Sequence, residues 1–297
     1  EVQIHYVKLD DLISVIRRLK EIGLATRGGG GNTVRNIAAQ EDAGIDPGEE
    51  FDVTPYALAL TTRLIAENDS WNLPRKFKIA FSGSAEDKGY ATLSDVGFIA
   101  GTKDGKKGFT VYAAGGLGGK PAVSKLLMDF IAEEDVYPVA KALKNFFWKY
   151  GNRRNKHAAR LRFLWYSLGE EEFRKRFEDE LAKIRQEGFE PLAIDPGKDP
   201  VVEDRAGGRD PQGSDGFVTW HKRFVRPQKQ AGLFSVFIPV ELGFLSCPSV
   251  TKLARFLKPF GDDTLRMTKD QNFFLRNIPV KALGNVYDFL KEELPFS

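Results

Sequence analysis

The sequence predicts an α+β fold in two parts, on three observations. A strand-like run followed by an amphipathic helix occurs near each end of the chain, and the two copies correspond. Between them, runs of alternating apolar residues give way to a long stretch punctuated as helices. Residues 189–216 are rich in Pro, Gly and Asp and carry no periodicity, which marks a linker. A chain of 297 residues is long enough for about two domains.

Residues 2–8, VQIHYVK, read as a strand. Asp10 or Asp11 can cap a helix through Ile22, with Leu12, Val15, Ile16 and Leu19 at helical spacing and Gly23 as its stop. Glycines 28–31 form a loop ahead of Asn32-Thr33-Val34-Arg35-Asn36, and Thr54-Pro55 opens a helix to about Asn68. In WNLPRKFKIAFS (71–82), Phe77, Ile79 and Phe81 alternate with Lys76, Lys78 and Ala80, the pattern of a strand with one apolar face. Residues 95–100 and 108–114 read as two further strands joined by the turn-forming TKDGKK, followed by a second glycine cluster at 115–119. From 122 to 187 the chain reads as mostly helical, with Gly151, Gly169 and Gly188 as helix stops. Beyond the linker, 233–240 reads as a strand, Ser249 as the cap of a helix to about Phe260, 264–276 as further strand, and about 281–293 as a final helix.

The terminal units match: Gln3-Ile-His-Tyr-Val-Lys pairs with Gln271-Asn-Phe-Phe-Leu-Arg, and Leu12, Val15 and Leu19 pair with Leu283, Val286 and Leu290 at one constant offset. Residues 217–266 before the second copy have no counterpart before Glu1, and residues 24–188 after the first have none after Ser297. The expectation is the middle of a longer, two-fold repeated protein, and a first residue that is not Met points the same way.

Composition narrows the function classes. A hydrophobic share of 42% and a charged share of 29% describe a soluble globular protein, and a net charge of +3 is too small to argue by itself for nucleic acid. No apolar run approaches the roughly 18 residues that span a bilayer. No secretory or lipidation motif is present, so the default location is cytoplasmic. Cys247 is the single cysteine, and His5, His157 and His221 are far apart, which leaves no metal-ligand set within the chain.

Lys76 and Lys78 lie on one strand face. Two adjacent ammonium groups suit either water at an edge strand or an anion. Neither glycine cluster is a nucleotide loop, since Lys120 is followed by Pro121 and neither spells GxGxxG. Their glycines serve either tight turns or a backbone passing close to a bulky ligand. Arg27 and Arg35 beside glycine-rich backbone fit an anion site, because guanidinium is the preferred partner of oxyanions, or a pair of surface arginines. The run Gly151-Asn152-Arg153-Arg154-Asn155-Lys156-His157, continuing to Arg160 and Arg162, reads first as a solvated helix face with some role towards an acidic ligand or partner, and nucleic acid is the rival. Cys247 beside a helix start has no identifiable base and reads as a small buried or half-buried residue.

Taken together, these motifs resemble the siroheme-dependent nitrite and sulfite reductases. LPRKFKIAFSG (73–83) resembles that family's basic strand, and Asn32-Thr-Val-Arg35-Asn36 its siroheme-side arginine loop. GFTVYAAGGLG (108–118) resembles its glycine-rich strand end and YGNRRNKHAARLRFL (150–164) the helix that follows. FVRPQKQAGLFSV (224–236) and LRMTKDQN (265–272) resemble its second ferredoxin-like half domain.

The resemblance implies ferredoxin-like half domains plus a larger α/β domain, repeated about a pseudo-two-fold. Residues 1–22 would end the first half domain, 24–188 form the large domain, 189–216 link, and 217–297 form the second half domain. The second half domain is expected to share one continuous sheet with the first strand–helix unit. It further implies reduction of sulfite to sulfide or nitrite to ammonia by six electrons. The implied cofactors are siroheme and a 4Fe-4S cluster whose cysteine ligands lie outside this chain, since Cys247 is not in the family's cysteine motif. Arg35, Lys76 and Lys78 match the basic residues around substrate. Arg27, Asn32, Asn36, Gly115, Gly116, Gly118, Arg153, Arg266 and Gln271 fall in motifs on the cofactor side. The partners implied are a small oxyanion, an electron-donor protein and the remainder of the enzyme, with no nucleic acid and no membrane. The rival reading is a non-catalytic scaffold that keeps the fold without haem.

Overall fold

The computed structural model describes residues 2–197 and 214–294, so most of the expected linker, 198–213, lies outside the described residues. The chain forms two compact units. The first holds Glu1–Ala39 and Val53–Asp195, the second Gln40–Asp52 and Pro196–Ser297.

The first unit is built on a mixed five-stranded sheet in the order β1 (Ala38–Ala39), β2 (Ile79–Ser82), β3 (Val96–Lys103), β4 (Lys106–Ala113), β5 (Lys125–Ala132). β1, β2 and β3 run parallel, and β3, β4 and β5 antiparallel. The β3–β4 hairpin turns on Asp104 and Gly105, both at positive φ (51° and 75°), as a two-residue turn matched to strand twist requires. Phe77, Ile79 and Phe81 are buried as the alternation predicts, and Phe81 stacks on Phe98 at 4.8 Å. However, β2 has neighbours on both sides, and Ala80 on its second face is buried too, so it is no edge strand.

Helices α2 (Thr54–Ala66), α3 (Val136–Tyr150), α4 (Leu161–Leu168) and α5 (Glu170–Glu187) complete the core. The last three end where glycine was expected to end them. Gly169 and Gly188 follow α4 and α5 at φ 79°, and Gly151 follows α3, where a Cβ would meet Pro74 at 2.4 Å.

Two expectations fail in this unit. Residues 2–8 form no strand; Tyr6 turns to φ 59°, and the segment has no ladder partner, without which an extended run gains nothing. The helix after it, α1 (Leu12–Glu21), forms as predicted but buries no residue. The stretch from 122 is not helical throughout, because β5 occupies it. Leu126, Leu127, Phe130 and Ile131 recur at helical spacing, yet β4 takes this run as a neighbour, and the Phe130 ring covers Gly108, where a Cβ would sit 2.3 Å from Cζ.

The second unit carries an antiparallel four-stranded sheet in the order β6 (Val225–Pro227), β7 (Leu233–Ile238), β9 (Phe273–Pro279), β8 (Leu265–Met267). Helices α6 (Asp215–Phe224), α7 (Cys247–Leu257) and α8 (Leu283–Glu293) close a core of Trp220, Val236, Leu253, Leu275, Val286 and Leu290. Ser246, not Ser249, caps α7, accepting a hydrogen bond from the Ser249 N–H at 3.2 Å. Residues 264–276 are a hairpin rather than one strand, since Thr268 accepts the Asp270 and Asn272 N–H groups and turns the chain. All four strands come from residues 225–279, so the continuous sheet expected with residues 2–8 does not form. Cys247 is exposed, against the expectation of burial.

The sequence also gave no sign that residues 40–52 belong to this unit. Their carbonyls are taken by Arg266 and Arg276 (Ala43 O, 3.1 and 3.2 Å), Gln230 (Gly44 O, 2.8 Å) and the Lys229 N–H (Ile45 O, 2.9 Å). Glu49, whose side chain is 1% exposed, pairs with Lys229 at 2.7 Å; burial pushes its carboxyl up against that pull.

Candidate functional site

In the first unit, a backbone zipper carries the basic residues. Leu73 donates to Asn32 O (2.8 Å), Val34 to Ser70 O (3.1 Å), Phe77 to Thr33 O (2.9 Å) and Arg35 to Phe77 O (2.9 Å). Val34 and Phe77 form a parallel bridge and are both buried. Arg35, Lys76 and Lys78, each one residue away, therefore project to the opposite side. Lys78 is exposed, and Arg35 and Lys76 are half-buried. The sequence-predicted trio is thus gathered on one side of the paired segments.

Arg35 is aimed by its own loop: Nε and Nη2 donate to Gly31 O (3.2 and 3.0 Å), and Nη1 to Gly29 O (2.9 Å). Lys76 is held below the ordinary lysine value, first by burial and then by the positive charges of Arg160, Lys78, Arg35 and Arg75. Arg160, expected on a solvated helix face, therefore lies within the same field.

Asp95, at the entry to β3, connects the parts. It is wholly buried and accepts three hydrogen bonds: Arg160 Nε (3.0 Å), Arg160 Nη2 (2.8 Å) and the Lys78 N–H (2.8 Å). Arg160 immediately precedes α4, and Arg162 lies in its first turn. Arg162 is 4% exposed, and its Nε and Nη1 have no hydrogen-bond partner among the described residues. Burial and the neighbouring Arg160 push its guanidinium down from the usual value.

Both guanidinium groups face Gly116. Its φ is 143°, and a Cβ there would lie 2.9 Å from Arg160 Nη2 and 2.9 Å from Arg162 Nη1. Gly118, at φ 116°, stands farther off, with Arg162 Nη2 3.9 Å from its would-be Cβ. Gly115 serves packing, since a Cβ would strike Ser124 Oγ at 2.2 Å.

The remaining expected residues are placed differently. Arg27 stacks on the Trp71 ring at 3.8 Å, beside the glycine loop. The Asn32 and Asn36 residues are exposed, Asn32 acting through its carbonyl. Arg153 is exposed and engages Asn72 (Oδ1 at 3.3 Å, O at 3.0 Å) and Trp148 O (3.5 Å). Arg266 and Gln271 belong to the second unit, where Arg266 binds Asp263 and Ala43 O and Gln271 packs on Gly243. No group of His, Cys, Asp or Glu among the described residues can hold a metal ion.

Sequence reasoning missed Asp95 and read Arg160 and Arg162 as part of a solvated helix face, whereas both are buried. The available signal was the Ala158-Ala159 pair ahead of Arg160: small apolar residues in a basic run mark a segment that goes inside rather than a solvated face.

Comparison with known proteins places these features. Residues 30–185 match the family model described as the nitrite and sulphite reductase 4Fe-4S domain, and residues 226–293 the nitrite/sulfite reductase ferredoxin-like half domain. A chloroplastic ferredoxin–nitrite reductase of Zea mays is 30% identical over 286 residues, 95% of this chain and 47% of that protein. An assimilatory ferredoxin-dependent nitrite reductase of Haloferax mediterranei is 29% identical, over 99% of this chain and 49% of that protein. The structure of the Mycobacterium tuberculosis NirA protein superposes with a TM-score of 0.78 at 27% identity, over 99% of this chain and 50% of that one. The chain spans about half the length of the curated relatives it matches. The α+β fold and the two family models agree with the motif resemblance, and the chain belongs to the siroheme-dependent nitrite and sulfite reductase family.

Proposed function

We propose that this chain supplies the anion-facing wall of a nitrite reductase. In this reading Arg35, Lys76 and Lys78 hold nitrite, and Arg162 holds a carboxylate of the siroheme. The observation that carries the reading is Arg162. A buried guanidinium with two unpartnered nitrogens costs on the order of 1–3 kcal/mol or more, and it persists most naturally where a ligand completes it. Gly116, with no Cβ, leaves the Arg160 and Arg162 guanidinium groups room to lie close against its backbone.

Siroheme, a polycarboxylate macrocycle, fits these residues. The 4Fe-4S cluster does not fit this chain, because Cys247 is the single cysteine; its ligands are outside these 297 residues. When bound, siroheme supplies the iron at which nitrite is reduced and the route by which electrons arrive.

The chain's own residues supply charge and protons. Arg35 Nη atoms are fixed by glycine carbonyls, so the guanidinium meets an anion without reorganising. Lys76, held below the ordinary lysine value, releases a proton from Nζ more readily than a solvated lysine. Six-electron reduction of nitrite to ammonia removes two oxygens as water and consumes protons at each stage. Nitrite is preferred to sulfite because the relatives at 29–30% identity are named nitrite reductases. By the same analogy the electron donor is a ferredoxin.

The test is titration of siroheme and nitrite into the full chain, by absorbance and calorimetry, for the wild type and Arg162→Gln. Siroheme binding that weakens at least about tenfold (1.4 kcal/mol) in the variant supports the reading. Equal binding by the two proteins removes its basis. The scaffold reading, which the single exposed cysteine favours, requires that the wild type bind neither ligand.

A further inference from the structure

Arg35, Arg75, Lys76, Lys78 and Arg160 bring their positive charges into one field, with Arg162 beside Arg160. They come from the loop before β1, the segment before β2 and the entry to α4. Asp95 is the carboxylate among them, and its geometry is specific. Oδ1 takes Arg160 Nε, while Oδ2 takes both Arg160 Nη2 and the Lys78 N–H. The Lys78 carbonyl accepts from Val96 N–H at 3.1 Å, so that both backbone groups of residue 78 are held by residues 95 and 96. The Asp95 backbone carbonyl takes the Ala114 N–H at 2.9 Å, and Ser94 O takes the Gly115 N–H at 3.0 Å, fixing the turn that leads to Gly116.

We propose that Asp95 is the positioning residue of the basic site. It turns Arg160 from an anion ligand into scaffold, aims Lys78 through its backbone, and sets how much uncompensated positive charge surrounds Lys76. The proposal rests on the anion-site reading only for its consequence; the charge relation itself is a property of the free chain.

Removing the Asp95 charge leaves Arg160 uncompensated beside Lys76, which makes the ammonium easier to deprotonate. Removing the Arg160 charge instead takes away the first of the charges that disfavour that ammonium. The two substitutions therefore act on Lys76 in opposite directions. A merely structural role for the pair would disturb the site in the same way from either side.

The experiment is an NMR titration of the full chain labelled at lysine Cε, with the Lys76 signal assigned by Lys76→Arg, in wild type, Asp95→Asn, Arg160→Gln and the double variant. The expected result is a Lys76 midpoint moved to lower pH by Asp95→Asn, to higher pH by Arg160→Gln, and back towards wild type in the double variant. Asp95→Asn breaks a buried pair, so it is the variant at greatest risk of misfolding, whereas the double variant removes both charges together. If Asp95→Asn does not fold, Arg160→Gln against the double variant decides the matter. A lower midpoint in Arg160→Gln, or a midpoint unmoved by adding Asp95→Asn to it, overturns the proposal. Nitrite titration of the same samples reads the anion site separately. Absence of nitrite binding in the wild type would sink the proposed function, while opposite Lys76 shifts would still uphold the role of Asp95.

Discussion

The loop that carries Arg35 is anchored from below by Lys144, and the anchor makes a quantitative prediction. Lys144 on α3 is wholly buried, and its ammonium donates to Glu67, to Asp69 at 2.5 Å and to Ser70 Oγ at 3.2 Å. Ser70 O in turn accepts the Val34 N–H, and Trp71, the next residue, supports Arg27 and Gly28. Lys144→Met keeps most of the volume and removes the charge. Breaking a buried ion pair costs about 3–5 kcal/mol. Asp69 has a side chain 46% exposed and re-solvates freely, and Glu67, at 17%, keeps the Tyr137 hydroxyl (2.5 Å) and Lys141 (3.9 Å). The lower end, about 3 kcal/mol, is therefore expected. For a domain of this size that is a fall in Tm of roughly 6–12 °C.

The assay is thermal and urea unfolding of the full chain followed by tryptophan fluorescence. Trp71, Trp148 and Trp165 lie in the first unit, so the signal is weighted to it. The double variant Glu67→Gln/Lys144→Met removes the pair together and should recover part of the loss, because neither a carboxylate nor an ammonium is stranded. Nitrite affinity should fall in Lys144→Met although the residue touches no ligand, since the turn it pins holds Val34 and hence Arg35. A loss below about 1 kcal/mol, within the range of ordinary substitutions, would refute the anchoring argument, as would a double variant no more stable than Lys144→Met.

Arg162→Gln should leave stability within about 0.5 kcal/mol of wild type, or raise it, because two of the lost nitrogens, Nε and Nη1, have no hydrogen-bond partner in the free chain; calorimetry checks this alongside the siroheme titration. Gly116→Ala places a Cβ 2.9 Å from two guanidinium nitrogens at φ 143°. A strain of about 1–3 kcal/mol should appear as a lower Tm together with weaker siroheme binding. Glu180, with a side chain 4% exposed, is pushed up by burial, but hydrogen bonds from Lys149 and Lys183 prevail and leave its carboxyl below 4.5. A carboxyl lowered on folding stabilises above its unfolded value and loses that contribution as pH falls through the folded one. The stability gap between wild type and Glu180→Gln should be constant at neutral pH and close in the acid range below 4.5, as denaturation at stepped pH would show.

What the sequence made legible was local. Strand alternation put Phe77, Ile79 and Phe81 inside and Lys76 with Lys78 on the other side, because side-chain direction along an extended chain depends on nothing else. Gly169 and Gly188 marked helix ends because the conformation required there, φ 79°, excludes most residues. The failures were cases in which a partner decides. Residues 2–8 have strand composition but no ladder, and 125–132 has helical spacing but pairs with β4. Residues 40–52 carry no pattern, and their place depends on Arg266, Arg276 and Gln230, more than 180 residues away.

The same distinction explains the site. Lys76 and Lys78 could be found because they are two residues apart, and Arg35 because it follows a glycine loop. Asp95 and Arg160 are separated by 65 residues and meet only in the fold. Each alone looks ordinary, an acid before a strand and a cation in a basic run. Their pairing changes what the lysines are. Without it, the field on Lys76 would contain the full charge of Arg160, which makes the ammonium easier to deprotonate. With the Arg160 charge partly compensated, Lys76 is still held below the ordinary lysine value, by burial first and then by its cationic neighbours. An anion site that must also deliver protons needs positive charge in excess but bounded. In this chain Asp95 sets the bound, from a position where water cannot reach it.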